Sequence, residues 1–534
     1  MRFIDVSRPG LRMLLICSTG AAMLVLAQII IEPSVVNIYC SILCAVAGVA
    51  TTIHCLRRKT VSRFPISSMA VMGFAVTTYA LPLLAQTMSW RPLIYNLLVP
   101  REVFEATVAF QAVVLAAHIV YTNAPALQAP SRWLARRVLK PIWIFRIPRP
   151  VELWALGLLG IGATWVSRIM FGDAVEFGNV GGKFLQALVP FIVAPFFIPL
   201  RRYFFDRDIV DPPGTIPMLS GYFALVLVTA LFFNARVIFA VCIFTVLLSI
   251  LMMAAMGRVR FSRRAKVMIA VGVLVALPIA GVAQDLATAM QAGRLLRGQA
   301  TPAEIAMETV RAFGDKARLE AMRRDEASMT MESGFSGISE IYLESEFFQR
   351  LTYTKYTDLT MAASLRLSDF QQSQIRRDAY EGIISILPTP IINALGLSVD
   401  KANRGFSTGD VYANLAFNED LGGYRTGSSI TNTIDVLSVF WPLVVFAICI
   451  LMFIEFDSYS LMHDGRLLIS AISFVLLYEI VARGLVYESF RSLVESASRA
   501  YIQAIFVYTI LTLGIRLALA PLAGLQGQRN LGHG

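Results

Sequence analysis

A chain of 534 residues with 56% hydrophobic and only 16% charged residues, and a mean hydropathy of +0.63, is not an ordinary soluble enzyme. Soluble domains carry roughly 25% charged residues and about 45–50% apolar ones. The formal net charge of +11, from 47 Lys and Arg against 36 Asp and Glu, would raise nucleic acid as a partner in a soluble chain, so its distribution has to be followed along the sequence.

About a dozen runs of roughly 20 apolar residues alternate with charged connections, which predicts an all-α polytopic membrane protein. The first run follows Arg2, Arg8 and Arg12 and has no small-residue cleavage site after it, so it reads as a membrane helix and not a removable signal peptide. The expected spans are 12–31, 35–56, 65–87, 103–123, 151–170, 184–200, 217–233, 236–256, 267–286, 436–456, 467–486 and 501–520. Twelve spans put both termini on one side. The connections on that side hold 23 Lys and Arg, and the short connections on the other side hold 6. Positive residues mark the cytoplasmic side, which predicts cytoplasmic termini. The basic excess then serves topology and lipid headgroups, with no nucleic-acid surface.

Residues 288–435 break the pattern, with 148 residues and no stretch apolar enough to span. This loop carries 15 basic and 19 acidic residues, net −4, leaving +15 on the rest of the chain. The expected organisation is therefore a membrane domain over 1–287, an extracytoplasmic helical subdomain over 288–435, and C-terminal membrane helices over 436–534. Thr301, Pro302 and Glu304 predict a capping box opening an amphipathic helix that runs to about Glu326. Phe347, Phe348 and Leu351 suggest another helix. So do Ile375, Tyr380, Ile383 and Ile384 before Pro388, while Gly405, Gly409, Gly422, Gly423 and Gly427 predict a looser return to the membrane.

Cys17, Cys40, Cys44, Cys55, Cys242 and Cys449 all fall in expected spans, so the outer loop is not disulfide-stapled. Cys40 and Cys44 share a helix face with no third ligand nearby, and packing is the expected role. His54, His118, His463 and His533 lie at or near the cytoplasmic side. That leaves the outer face without a zinc site or a histidine base. No nucleotide motif or HExxH is present, so no metal or cofactor is expected, and external chemistry falls to carboxylates, arginines and hydroxyls.

Ionisable groups within spans are costly and point to function. Arg168 lies in the last turn of the fifth span, Arg236 opens the eighth, and Glu479 and Arg483 lie one turn apart in the eleventh. By topology the three arginines share a depth at the outer boundary, where they suit an anionic headgroup such as a diphosphate. The alternative is snorkelling to lipid phosphates and a structural Glu479–Arg483 pair. The loop adds Arg350, Arg376, Arg377, Asp378 and Glu381, either a solvated helix face or carboxylates beside arginines that suit a general base facing an anionic leaving group.

Many membrane helices, one long outer loop before the last few, and the Asn234-Ala235-Arg236 start together resemble the Wzy-type polysaccharide repeat-unit polymerases and the related O-antigen ligases. Phe348 through Arg350 to Asp358 and Leu359, and Leu387-Pro388-Thr389-Pro390 preceded by Arg376 and Arg377, are similar to stretches of the polymerase loop. Ala235 stands where the family usually has serine. The ligase branch relies on a loop histidine, which this loop lacks, so the polymerase is the better match.

The resemblance implies a polyprenyl-diphosphate-dependent glycosyltransferase of surface or exopolysaccharide synthesis. Its substrate would be a polyprenyl-diphosphate-linked oligosaccharide in the outer leaflet, and a chain-length regulator would be the usual partner. It implies Arg236 on the diphosphate with Arg168 and Arg483 in support, Arg350, Arg376 and Arg377 on the loop side of the substrate, and Glu381 or Asp378 taking the hydroxyl proton. A transporter or flippase of a lipid-linked saccharide is the rival, which predicts buried polar residues at mid-membrane, broken helices and an internal repeat.

Overall fold

The computed structural model describes residues 8–171, 180–205, 208–233, 235, 237–259, 285–286, 288–293, 301–332, 339–343, 349, 352–399, 406–423 and 425–531. Among these, ten helices are long and apolar enough to cross a membrane: Pro9–Ile31, Val35–Cys55, Pro65–Met88, Pro100–Asn123, Pro150–Phe171, Gly181–Phe204, Thr215–Phe232, Val237–Ala255, Ser429–Ser458 and Phe490–Leu519. Four of them open on proline, which fits the first helical turn because the missing N–H would have no partner there. The chain is a polytopic, all-α membrane protein. The strands among the described residues are a single hairpin, Ser460–His463 against Arg466–Ile469, turning at Asp464 and Gly465 with positive φ.

That hairpin corrects the expected span at 467–486. Its second strand takes the first apolar residues and leaves a 12-residue helix, Ala471–Ala482. At 1.5 Å per residue this helix reaches about 18 Å, short of a hydrocarbon core of about 30 Å. Hydropathy alone cannot distinguish a strand followed by a short helix from one long helix. The expected span at 267–286 lies outside the described residues except at 285–286.

Two loop expectations are also corrected. The helix expected from 302 to about 326 is two helices, Pro302–Gly314 and Lys316–Glu332, with Asp315 between them. Asp315 accepts a hydrogen bond from the Arg318 N–H at 3.0 Å, the geometry of an N-cap starting a new helix. The glycine-rich return holds a ten-residue helix, Thr408–Phe417, and two of its glycines mark close packing. A Cβ on Gly409 would lie 2.4 Å from the Arg425 carbonyl oxygen, and one on Gly427 would lie 2.6 Å from that of Glu488. The helix expected around Phe347, Phe348 and Leu351 lies outside the described residues. Asp369–Ile384 forms as expected, with Ser368 and Gln371 closing a capping box.

The chain divides into two compact units. The first comprises Met1–Leu127, Met252–Phe453 and Glu479–Ala497; the second comprises Gln128–Leu251, Ile454–Tyr478 and Ser498–Gly534.

In the first unit the loop subdomain is bonded to the ends of spans. The Asp358 carboxylate, with no exposed side-chain surface, accepts from the N–H groups of Leu98 (2.8 Å) and Val99 (2.9 Å), just before the Pro100–Asn123 helix. Lys355 donates to Asp358 at 2.9 Å and also to the Asn96 carbonyl. Tyr342 donates its hydroxyl to the Leu93 carbonyl at 2.8 Å, while Gln86 donates to the Tyr342 carbonyl at 3.0 Å. The Leu93 N–H in turn donates to Gln28 and Asn37. Farther along, the Ser429 N–H donates to the Tyr487 carbonyl at 2.7 Å. These bonds join the three connections around 89–99, 339–435 and 487–490.

The second unit is held by aromatic and glycine contacts. Gly157 and Gly160 let the Pro150–Phe171 helix close onto Pro195 and Ile192, where added Cβ atoms would come within 2.4 and 2.6 Å. Phe197 packs on Phe204, Phe205 and Phe474, and Trp165 packs on Phe232 and Phe233. Two buried ion pairs lie in this interior among the described residues: Arg516 meets both carboxylate oxygens of Glu152, at 3.0 and 3.3 Å, and Arg201 meets Asp211 at 3.1 Å.

Candidate functional site

The Asp369–Ile384 helix, the N-terminus of Thr408–Phe417 and the segment Glu488–Glu495 enclose a cleft of about 280 Å³ in the first unit. This is just below the ~300–1,000 Å³ usual for small-molecule sites. Ile375, Asp378 and Gly382 form one wall, Phe406, Ser407, Thr408 and Val411 a second, and Asn432 with Glu488, Ser489, Arg491, Ser492 and Glu495 the rest.

Local sequence explains how these side chains are placed. Ser407 caps its helix by accepting from the Asp410 N–H at 3.0 Å, and Ser489 caps Phe490–Glu495 by accepting from the Ser492 N–H at 3.2 Å. Asn432 ties two walls together: its carbonyl accepts from the Phe490 N–H at 2.9 Å, and its amide donates to the Tyr412 hydroxyl at 3.4 Å. Asp435 lies behind it, accepting from Ser364 at 2.8 Å and Tyr412 at 2.6 Å. Burial, followed by the Asp435 carboxylate beside it, holds the Tyr412 phenol well above its usual range, so it stays protonated as a donor.

Asp378, Glu488 and Glu495 give the lining three acidic residues and Arg491 one basic residue. Such a lining suits hydroxyl donors, with a carboxylate available as proton acceptor, better than it suits a dianionic diphosphate. Among the described residues no group of His, Cys, Asp and Glu has the arrangement to hold a metal ion.

The residues singled out by sequence separate in the structure. Asp378 reaches the cleft. Arg377 and Glu381 pair with each other at 2.9 Å on an exposed helix face, a contact of about 0.3–0.5 kcal/mol. Arg376 donates to the Asp435 backbone carbonyl at 3.0 Å, near the C-terminal end of the Ser429–Leu437 helix, and so fixes the cleft wall. Glu479 and Arg483 approach to 3.8 Å, both partly exposed. Arg168 belongs to the second unit and is half-buried, whereas Arg483 belongs to the first. Arg236 and Arg350 lie outside the described residues.

Sequence reading missed Glu488, Arg491 and Glu495, whose spacing in a short connection was available as a signal. It also missed the ion pairs Lys355–Asp358 and Glu152–Arg516. Arg516 sits within an expected span and was visible by the same rule that singled out Arg168.

Fold and cleft together define a class: a multi-pass α-helical membrane protein with a polar cleft built by its long loop and a neighbouring connection. No protein-family model, curated protein or solved structure matches the chain.

Proposed function

We propose that this protein is a polyprenyl-diphosphate-dependent glycosyltransferase that polymerises oligosaccharide repeat units at the outer face of a bacterial inner membrane, with its termini cytoplasmic and its long loop extracytoplasmic. The observation that carries the proposal is the cleft lined by Asp378, Glu488, Arg491 and Glu495 together. An acceptor hydroxyl there loses its proton to Asp378 as its oxygen bonds to the anomeric carbon of the donor. The bond between that carbon and the diphosphate oxygen breaks, and polyprenyl diphosphate leaves with the electron pair. Diphosphate is a good leaving group, so the reaction needs no nucleotide. In this reading Arg491 faces the cleft, and Arg236 keeps its sequence-based assignment to the diphosphate. A chain-length regulator is the proposed protein partner.

The test reconstitutes purified protein with a lipid-linked oligosaccharide and measures polymer length. Polymer formation without nucleotide, lost in Asp378→Asn and Arg236→Ala, supports the proposal. Normal long chains from both variants at normal expression reject the residue assignments, and absence of polymer from the wild type rejects the reaction.

A second reading, transport of a lipid-linked saccharide, is favoured by interruptions in the spans. A wide π-helical turn occupies Val76–Ala80 within Pro65–Met88, and a 3-10 turn at Ser438–Phe440, with Ser438 at φ 50°, interrupts Ser429–Ser458. Movement of the lipid-linked sugar across the bilayer without polymer would establish that reading instead.

A further inference from the structure

The interior of the first unit contains ionisable and polar side chains that glycosyl transfer does not use. His54 in the second span and His118 in the fourth meet ring to ring, with Nε2 of His54 2.9 Å from Nδ1 of His118. Nε2 of His118 lies 3.0 Å from the Ser67 hydroxyl of the third span. All three residues are buried. The chain supports two hydrogen-bond polarities. In one, Ser67 donates to His118 and His118 donates to His54. In the other, every donor reverses. Both end at Nδ1 of His54, a buried atom with no hydrogen-bond partner among the described residues. A proton arriving at Nδ1 of His54 lets its Nε2 proton pass to Nδ1 of His118, and the Nε2 proton of His118 passes in turn to the Ser67 oxygen as that hydroxyl releases its own proton to water, so charge moves across two rings with no ring rotation.

The spans continue this polarity outward. Gln111 of the fourth span donates to Thr51 of the second at 2.8 Å, and Thr51 is one turn, about 4.5 Å, from His54. Beyond them Tyr79 donates to the Thr107 carbonyl at 2.9 Å, and Asn37 closes the outer end by accepting from the Leu93 N–H. Oε1 of Gln111 and Oγ of Ser41, both buried on this seam, also have no hydrogen-bond partner among the described residues. Orphaned polar atoms inside a membrane-spanning bundle are expensive, and a run of them on facing stripes calls for a hydrogen-bonding guest that passes between them.

We propose that the facing stripes of the second and fourth spans form a proton-transfer path, with His54–His118–Ser67 as its relay at one end. Arg57, exposed just past the C-terminal end of the helix that carries His54, is the charged group beside it, and Tyr121, one turn beyond His118, is the titratable neighbour on the fourth span. The guest is the proton, which makes the protein a site of proton movement whatever saccharide chemistry it performs.

The test places the full-length protein in liposomes containing a pH-sensitive dye and drives protons with a potassium diffusion potential. The wild type is expected to conduct at least about tenfold above protein-free liposomes. His54→Gln and His118→Gln, which keep hydrogen bonding but cannot carry a proton at neutral pH, are expected to fall to the protein-free rate. Gln111→Leu tests the middle of the path without touching either imidazole and is expected to lower the flux severalfold. Wild-type flux equal to that of protein-free liposomes overturns the proposal. So does undiminished flux in both histidine variants or, should these fail to elute as folded protein in detergent, in Gln111→Leu.

Discussion

The two units solve the same problem, packing helices in an apolar solvent, with a different balance of contacts. The second unit closes mainly on glycines and aromatic rings, with Gly157 admitting the Pro195 ring, Gly160 admitting the Ile192 backbone, and the ion pairs Arg516–Glu152 and Arg201–Asp211 in its interior. The first unit is held by hydrogen bonds between distant parts of the chain: Asp358 to the backbone of Leu98 and Val99, Tyr342 to Leu93, Asn432 to Phe490, and His54 to His118. Buried polar groups specify their partners because an unmade bond leaves a desolvated donor or acceptor, whereas apolar contacts tolerate sliding and repacking. The region that must hold a loop in one position over span ends is therefore the polar one, and it also contains the candidate cleft.

Substitutions can break this contrast in graded steps. Asp378→Asn retains the shape of the cleft and removes its proton acceptor, so polymer formation is expected to fall about 10²–10⁴-fold with unchanged thermal unfolding. Asp358→Ala leaves Lys355 buried without its counter-charge and two N–H groups unpaired, with an expected cost of about 3–5 kcal/mol. The measurement is thermal unfolding in detergent together with faster proteolysis of the loop. The double variant Lys355→Met/Asp358→Leu removes both charges and is expected to recover much of that loss.

In the second unit Gly160→Ala forces a Cβ to within 2.6 Å of the Ile192 nitrogen and is expected to cost about 1–3 kcal/mol. Hydrogen exchange should show that loosening in the second unit while the bonds of Asp358 stay protected; equal loosening of both would erase the distinction. Thr301→Ala removes the capping box that holds Glu304, with an expected loss of about 1 kcal/mol seen as faster exchange in Pro302–Gly314 alone. Arg377→Ala breaks only an exposed pair and is expected to change stability by no more than about 0.5 kcal/mol.

Much was legible from the sequence for a physical reason. A bilayer demands about 20 apolar residues per crossing and internally satisfied backbone, so composition and run length alone determined a multi-pass helical protein. The capping boxes at Thr301 and Ser368 act within four residues, and the first was readable for that reason. The sequence could not separate the strand Arg466–Ile469 from the helix after it, since both are apolar and short. It also took Gly409 and Gly427 for flexibility when they admit backbone from residues 16 and 61 positions away.

The candidate site was only half legible. Asp378 could be singled out as a carboxylate beside arginines, but its companions Glu488, Arg491 and Glu495 lie more than a hundred residues along the chain and become neighbours only when the loop folds onto the connection after Arg483. The same holds for His54 and His118, which the sequence placed near one side and the structure placed 2.9 Å apart. The solvent acts on each residue's own polarity, so the sequence determined which segments leave water. Which buried polar groups satisfy one another depends on contacts between remote segments, and only the tertiary structure decided it.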